Sequence, residues 1–375
     1  MTSLSDRDTP FLALDPTRLD ANVARMRARI EALGPRLRPH LKTVKSVPAA
    51  QRILGEMTNP ATVSTLQEAE AFADAGCTDL IYAVGIAPAK LPRVAALRAR
   101  GVDIAVILDS PAQALAVAEA SRIAGAAIPA LIEIDCDGKR AGIRSGDPAL
   151  TIIGRILHSG AELRGVLTHG GGSYAQFTPE DQRQMAAEER FAAVTAAERL
   201  RADGLPCPVV SIGSTPSAHF TTDLGGVTEV RAGVYTLMDL MMVNCGVGGI
   251  EDIAATVVCT VIGHQPDRGI ILTDAGYMAL SKDHGTALMP VDQGFGLVAT
   301  LDGTPIPDLL VTATSQEHGQ LSIRPGSDAP LPELPIGTRL RIYPNHACAT
   351  VAMHRSFAVL DGEEITENWP IMSGW

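Results

Sequence analysis

The 375-residue sequence lacks an excess of positive charge: 42 acidic against 31 basic residues leave a formal net charge of −11. A nucleic acid or an anionic membrane would call for a basic face, so neither is expected as a partner and a small-molecule ligand fits better. No apolar run approaches the roughly 18 residues that a membrane span needs. Residues 1–15, MTSLSDRDTPFLALD, lack the basic start and apolar core of a secretory signal, so a cytoplasmic protein is expected. The six cysteines (Cys77, Cys136, Cys207, Cys245, Cys259 and Cys348) form no CxxC pair. That excludes a disulfide framework or a zinc ribbon and leaves most of them as small buried hydrophobes. Low-complexity tracts and charge blocks are also missing.

What is present is enough apolar material, 46% of the residues, to fill two cores. From residue 11 to about 240, short apolar runs alternate with helical patterns. The runs are FLAL, LRPHLKT, ATVST, DLIYAVG, DIAVILD, PALIEID, LRGVLTHG and PVVSIGS. Between them lie stretches such as LDANVARMRARIEAL and TLQEAEAFADAG, whose apolar positions recur at three- and four-residue spacing. Eight strand-then-helix units are the arithmetic of a (β/α)₈ TIM-type barrel, with a doubly wound open sheet as the alternative. After residue 250 the helical patterns give way to β-rich runs punctuated by Gly, Pro and Asp. We therefore expect a barrel over 1–250 and a mostly β domain over 251–375, with an N-terminal contribution to the second domain left open.

Barrel sites lie where strands end, so polar residues there matter most. One run continues into Arg38-Pro39-His40-Leu41-Lys42-Thr43, and period-2 alternation puts His40 and Lys42 on one face. A desolvated lysine amine is a usable nucleophile for a carbonyl such as that of pyridoxal 5′-phosphate (PLP), although a lysine on a solvated loop fits the same residues. Gly213, Ser214 and Thr215 follow an apolar run and could offer backbone donors to a phosphate, with Arg231, Gly233 and Tyr235 as a second phosphate-facing segment. At two further strand ends, His169 suits packing on a pyridine ring and Arg140 suits holding its phenolic oxygen. His346 and Cys348, at i and i+2, would share one face of a strand and could hold a divalent metal with open positions. A buried cysteine beside a structural histidine is the plainer reading of that pair. Zinc suits it better than magnesium, and manganese stays open.

Taken in order, RPHLKTVKS (38–46), SIGSTPS (211–217), EVRAGVYTLMD (229–239), TDAGYMALSKD (273–283), SQEHG (315–319) and PNHACAT (344–350) resemble the D-threonine aldolase and D-serine dehydratase family over nearly the whole chain. The resemblance implies an alanine-racemase-type barrel followed by a β domain, PLP attached to Lys42, and a divalent metal (Zn, Mn or Mg) on His346 and Cys348. It places Gly213, Ser214, Thr215, Gly233 and Tyr235 around the cofactor phosphate, and Arg140, His169 and Tyr174 around the ring. Arg231 aligns with an arginine that meets the pyridine nitrogen in alanine racemases, a contact that Tyr174 could supply instead. One departure is Val44, where the motif often has a second histidine.

The implied substrate is a small D-3-hydroxy amino acid, and a homodimer is implied by the same resemblance. The run of DIAATVVCTVIGH, MALSKDHGT and DQGFGLV weights retro-aldol cleavage to glycine and an aldehyde first. A D-serine or D-threo-3-hydroxyaspartate dehydratase releasing a 2-oxo acid and ammonia comes second, favoured by the HxC form of the metal motif. A non-catalytic PLP carrier is a further alternative, opposed by the added β domain that such carriers lack.

Overall fold

The computed structural model describes residues 2–375, which fall into two compact units. One comprises Ala24–Lys42, Ala50–Gly233 and the last two residues; the other comprises the chain up to Val23, Thr43–Ala49 and Val234–Ser373. The division between them therefore falls at Gly233/Val234, short of residue 250. Among the described residues, no helix is long and apolar enough to cross a membrane.

The first unit is an eight-stranded parallel barrel. Its strands are Arg36–Pro39, Ala61–Val63, Asp79–Gly85, Asp103–Leu108, Pro129–Ile134, Glu162–Thr168, Val209–Ile212 and Glu229–Ala232. The last pairs with both Val209–Ile212 and Arg36–Pro39, and a parallel bridge from His40 to Thr62 joins the first strand to the second. That closure rules out the open doubly wound sheet. Helices start directly after strands because the linking turns carry their caps: Thr65 forms a full capping box with Glu68, and Ser110 and Thr178 each precede a helix-opening proline.

Two expectations about strands need correction. Phe11–Leu14 is not a barrel strand; it lies in the sheet of the β unit, antiparallel to Ala255–Gln265 and parallel to Ser356–Asp361. Its four residues are all buried, which an apolar tetrapeptide satisfies equally well in either sheet. The missing barrel strand is Glu229–Ala232, whose charged letters hide its burial. The β unit is a ten-stranded sheet in which an extra pairing of Ala255–Gln265 with Arg339–Tyr343 closes six strands on themselves. Of the six cysteines, Cys77, Cys207, Cys245 and Cys259 are buried, and Cys136 and Cys348 are partly so.

The barrel interior is apolar at one level, where Ile81, Ala105, Ile107, Leu131 and Leu167 cluster. Another level is ionic. Arg38 Nε donates to Glu229 Oε2 at 2.8 Å and Arg38 Nη1 to Asp79 Oδ1 at 2.7 Å. Ser211 Oγ donates to Glu229 Oε1 at 2.7 Å, and Arg231 Nη1 donates to Ser211 Oγ at 2.6 Å. Arg231 Nη2 ends the ladder on the Thr168 carbonyl at 2.5 Å. Arg38, Ser211, Glu229, Arg231 and Thr168 are all buried.

Burial pushes the Glu229 carboxyl up, but Arg38, Ser211 and Arg36 outweigh it and hold the group below its ordinary value. Its contribution to stability is therefore present above the unfolded carboxyl pKa and is lost as pH falls through the folded one. Glu229→Ala, which leaves the buried Arg38 with Asp79 alone and Ser211 without its acceptor, is expected to cost about 3 kcal/mol. The first transition in urea unfolding at neutral pH checks this, and a variant unfolding with wild type would show that the ladder contributes nothing.

Candidate functional site

In the barrel unit, the candidate residues gather where the strands end. The first strand stops at Pro39, His40 N–H donates to the Ala232 carbonyl at 2.7 Å, and Leu41–Thr43 is a 3₁₀ turn. Lys42 thus sits on a turn and not, as alternation suggested, on a strand face. Proline has no N–H to continue the ladder, so the chain bends after it. Lys42 N–H points at His40 Nδ1 at 3.5 Å, and Ser64 Oγ lies 3.4 Å from His40 Nε2. Burial, then the charges of Lys42 and Arg231, hold the His40 pKa well below its ordinary value.

His169 follows the strand Glu162–Thr168, and its Nδ1 lies 2.9 Å from the Gly213 carbonyl. A carbonyl only accepts, so Nδ1 carries the proton and Nε2 is left as the unprotonated ring nitrogen. Burial, reinforced by Arg140, Lys42 and Arg231, lowers the His169 pKa to about 3. The ring is therefore neutral at physiological pH. Tyr174, on the 3₁₀ turn Gly171–Ala175, has its ring centroid 6.4 Å away at 48°.

Gly213 has φ +140°, and a Cβ there would overlap the Arg231 backbone, so only glycine lets these neighbouring strands approach. Its N–H is already committed to Glu189 at 2.9 Å. Ser214 caps the short helix Thr215–Phe220, with Oγ 2.8 Å from Ser173 Oγ and 2.9 Å from Ser217 Oγ. Arg231 is spent on the ladder inside the barrel, its pKa lowered by burial to about 10, which leaves it a cation. Arg140 is half exposed and reaches only Glu133, at 3.5 Å. Gly233 closes the barrel unit's main segment.

The β unit carries the second cluster. The strand Arg339–Tyr343 ends before Pro344, and His346 is the N-cap of the helix Ala347–Val351, which contains Cys348. The expected i, i+2 strand geometry is therefore absent; the two side chains still face each other closely enough to hydrogen bond. Behind the imidazole, Asp239 Oδ2 accepts from His346 Nδ1 at 3.1 Å and from Ala347 N–H at 3.0 Å, while Asp239 Oδ1 accepts from Met242 N–H at 2.9 Å. Burial opposes a proton on His346, but Cys348 and Asp239 outweigh it and raise the pKa well above the ordinary value. Thr43, next in sequence after Lys42, has Oγ1 3.3 Å from Cys348 Sγ. Tyr235 is buried on the turn Val234–Thr236.

Among the described residues, no three His, Cys, Asp or Glu side chains form a ready-made metal cage. A histidine whose far nitrogen is fixed by a carboxylate, paired with a thiol, nevertheless suits a divalent ion bound by two protein ligands with positions left open. The barrel cluster of a lysine, a neutral imidazole and a Ser/Thr-rich turn suits an aldehyde cofactor that carries a ring and an anionic group. Sequence reasoning missed Asp239 and Glu189. Asp239 is the last letter of EVRAGVYTLMD, where only its place before a helix could have marked it, and Glu189 lies amid the charges of a long surface helix.

Comparison with known proteins identifies the family. The family described as alanine racemase, N-terminal domain, matches residues 14–240, and the putative serine dehydratase domain matches 254–360. The chain belongs to this family of fold type III, PLP-dependent lyases, which removes the non-catalytic carrier reading. Among its relatives is a D-threo-3-hydroxyaspartate dehydratase of Delftia sp. (strain HT23), 50% identical over 98% of both chains. A D-threonine aldolase of Arthrobacter sp is 28% identical over 97% of this chain and 92% of its own. Solved structures of the D-threo-3-hydroxyaspartate dehydratase, from Delftia sp. HT23 and as a cysteine-to-alanine mutant in the metal-free form, match with TM-score 0.96 at 48% identity over 100% of both chains.

With its pKa near 3, His169 is expected to keep its proton on Nδ1 and stay neutral from about pH 5 to about pH 8. Nitrogen NMR of ring-labelled histidine checks this. A titration near the ordinary histidine value would show that burial does not control this ring.

Proposed function

We propose that this chain is a PLP- and divalent-metal-dependent dehydratase of D-3-hydroxy amino acids, with D-threo-3-hydroxyaspartate as the first candidate substrate and a 2-oxo acid and ammonia as products. The observation that carries the reading is the His346 and Cys348 pair held from behind by Asp239. It is the HxC form of the motif, in a chain 50% identical to a dehydratase whose cysteine-to-alanine mutant has a metal-free form. Retro-aldol cleavage, weighted first from sequence, moves to second place because identity to the D-threonine aldolase is only 28%.

Bound PLP supplies an electron sink for negative charge at Cα, and a bound divalent ion supplies Lewis-acid pull on the 3-hydroxyl. The chain's own residues do the rest. Lys42 would hold the cofactor, and its amine would serve as the base for the Cα proton of the substrate. The neutral His169 ring would pack on the cofactor ring without adding charge, with Tyr174 beside it. Ser214 and Thr215, with Gly233 and Tyr235, would hold the phosphate, on a turn that Gly213 opens with its own N–H on Glu189. His346 and Cys348 hold the ion, and Asp239 fixes the imidazole so that its other nitrogen faces the metal position.

Incubating the PLP- and metal-loaded protein with D-threo-3-hydroxyaspartate is expected to give oxaloacetate and ammonia, with Lys42→Ala inactive. Glycine and glyoxylate would make it an aldolase, and no product from this substrate, D-serine or D-threonine would sink the reading. His346→Ala and Cys348→Ala are expected to lose bound metal by elemental analysis. Asp239→Asn is expected to weaken metal affinity about 10–100-fold. Full metal content in both ligand variants would refute the site.

A further inference from the structure

Glu189 is a carboxylate in an unusual place. It lies on the long helix Pro179–Ala202, most of whose charged residues are exposed, yet it has no accessible surface. One oxygen, Oε1, accepts from two backbone amides, Gly170 N–H at 2.6 Å and Gly213 N–H at 2.9 Å. Each amide belongs to a turn that follows a barrel strand: Gly170 is next to His169, and Gly213 is next to Ser214. The two turns are also tied by His169 Nδ1 to the Gly213 carbonyl at 2.9 Å and by Ser173 Oγ to Ser214 Oγ at 2.8 Å, and Ser173 Oγ donates to the Gly170 carbonyl at 2.7 Å within its own turn.

The second oxygen, Oε2, is buried without a hydrogen bond, and the gap lined by Glu189, Gly213 and Ser217 has no room for water. Burial raises the Glu189 pKa, only partly opposed by the neighbouring Ser217 hydroxyl and the two amides. A carboxylate so poorly solvated is costly to keep. Packing alone does not require it, since a leucine would fill a similar volume on this helix. What a leucine cannot do is hold two turns at one point.

We propose that Glu189 is a positioning residue for the cofactor: through one oxygen it locks the His169 turn to the Gly213–Thr215 turn, and so fixes the ring-packing imidazole relative to the phosphate-holding segment. This rests on the PLP reading above. Glu189 touches neither cofactor nor substrate and acts only through the two backbone amides. Geometry, not charge, is what it provides, so a glutamine should serve: its carbonyl oxygen can accept both amides. Gly170 supplies an independent way to disturb the clamp. A Cβ there would stand 3.0 Å from the Glu189 carboxyl carbon, while its backbone, φ −75°, suits alanine.

The test strips the cofactor from wild type, Glu189→Leu, Glu189→Gln and Gly170→Ala, confirms the fold by far-ultraviolet circular dichroism, and titrates each with PLP. Binding is read by absorbance, and cofactor orientation by the visible circular dichroism per bound PLP. Glu189→Leu is expected to weaken PLP binding by about tenfold or more, as loss of two hydrogen bonds implies, and to diminish the visible dichroism. Gly170→Ala should move both readouts the same way by a smaller factor, and Glu189→Gln should stay within about threefold of wild type.

Wild-type affinity and dichroism in Glu189→Leu would overturn the proposal, as would a Glu189→Gln as impaired as the leucine. If the leucine variant fails to fold, Gly170→Ala decides, and an unchanged signal there overturns it. A wild type that binds PLP but transforms no substrate refutes the proposed function alone, whereas one that takes up no PLP refutes both.

Discussion

The structure depends on a hydrogen-bonded ionic ladder inside the barrel, from Asp79 through Arg38, Glu229, Ser211 and Arg231 to the Thr168 carbonyl. Barrel interiors of this size are usually filled by layers of branched apolar side chains. Here one level is given over to charges whose burial costs several kcal/mol per ion before pairing recovers it, on the order of what a small domain has to spare. Such pairs are poor sources of stability but strict about geometry. Each rung fixes the next, and the last rung holds the carbonyl of the residue just before His169.

The chemistry-bearing residues sit on turns because turns are where backbone groups and side chains can converge on one point. Lys42 lies on a 3₁₀ turn, His169 on the first residue past a strand, and His346 at a helix N-cap. Strain marks the same neighbourhoods. Lys45 and Met238 have φ values of +48° and +54°, and they stand three residues after Lys42 and one before Asp239. Non-glycine residues in the left-handed region cost free energy and persist where surrounding contacts over-determine them. Met238 is buried, and Asp239 behind it caps one helix and anchors His346.

Much of this was legible in the sequence, and the failures have physical causes. Strand and helix periods revealed a barrel, but EVRA was missed as a strand because its inward letters are the ionic rungs Glu229 and Arg231, whereas FLAL was assigned to the wrong sheet because burial leaves no mark of which sheet buries it. The same period-2 logic put Lys42 and the His346–Cys348 pair on strands. In both places a proline, Pro39 or Pro344, ends the pattern, and side chains two apart meet by turn geometry instead. Linear spacing can therefore bring two side chains together by a geometry that the fold does not use.

What spacing could not reveal is the class of residue that acts on backbone. Asp239 and Glu189 each use a carboxylate oxygen to bind a backbone N–H together with a second donor, the His346 ring in one case and a second amide in the other. Neither is aimed at a reacting atom, so a search for catalytic carboxylates passes over both. Yet a lysine, an imidazole or a thiol is useful only when held within about half an ångström of its working position. In this chain the candidate side chains come from short, recognisable motifs, while the groups that hold them come from residues whose role exists only after folding. That division is why the family could be read early and the precision of its sites could not.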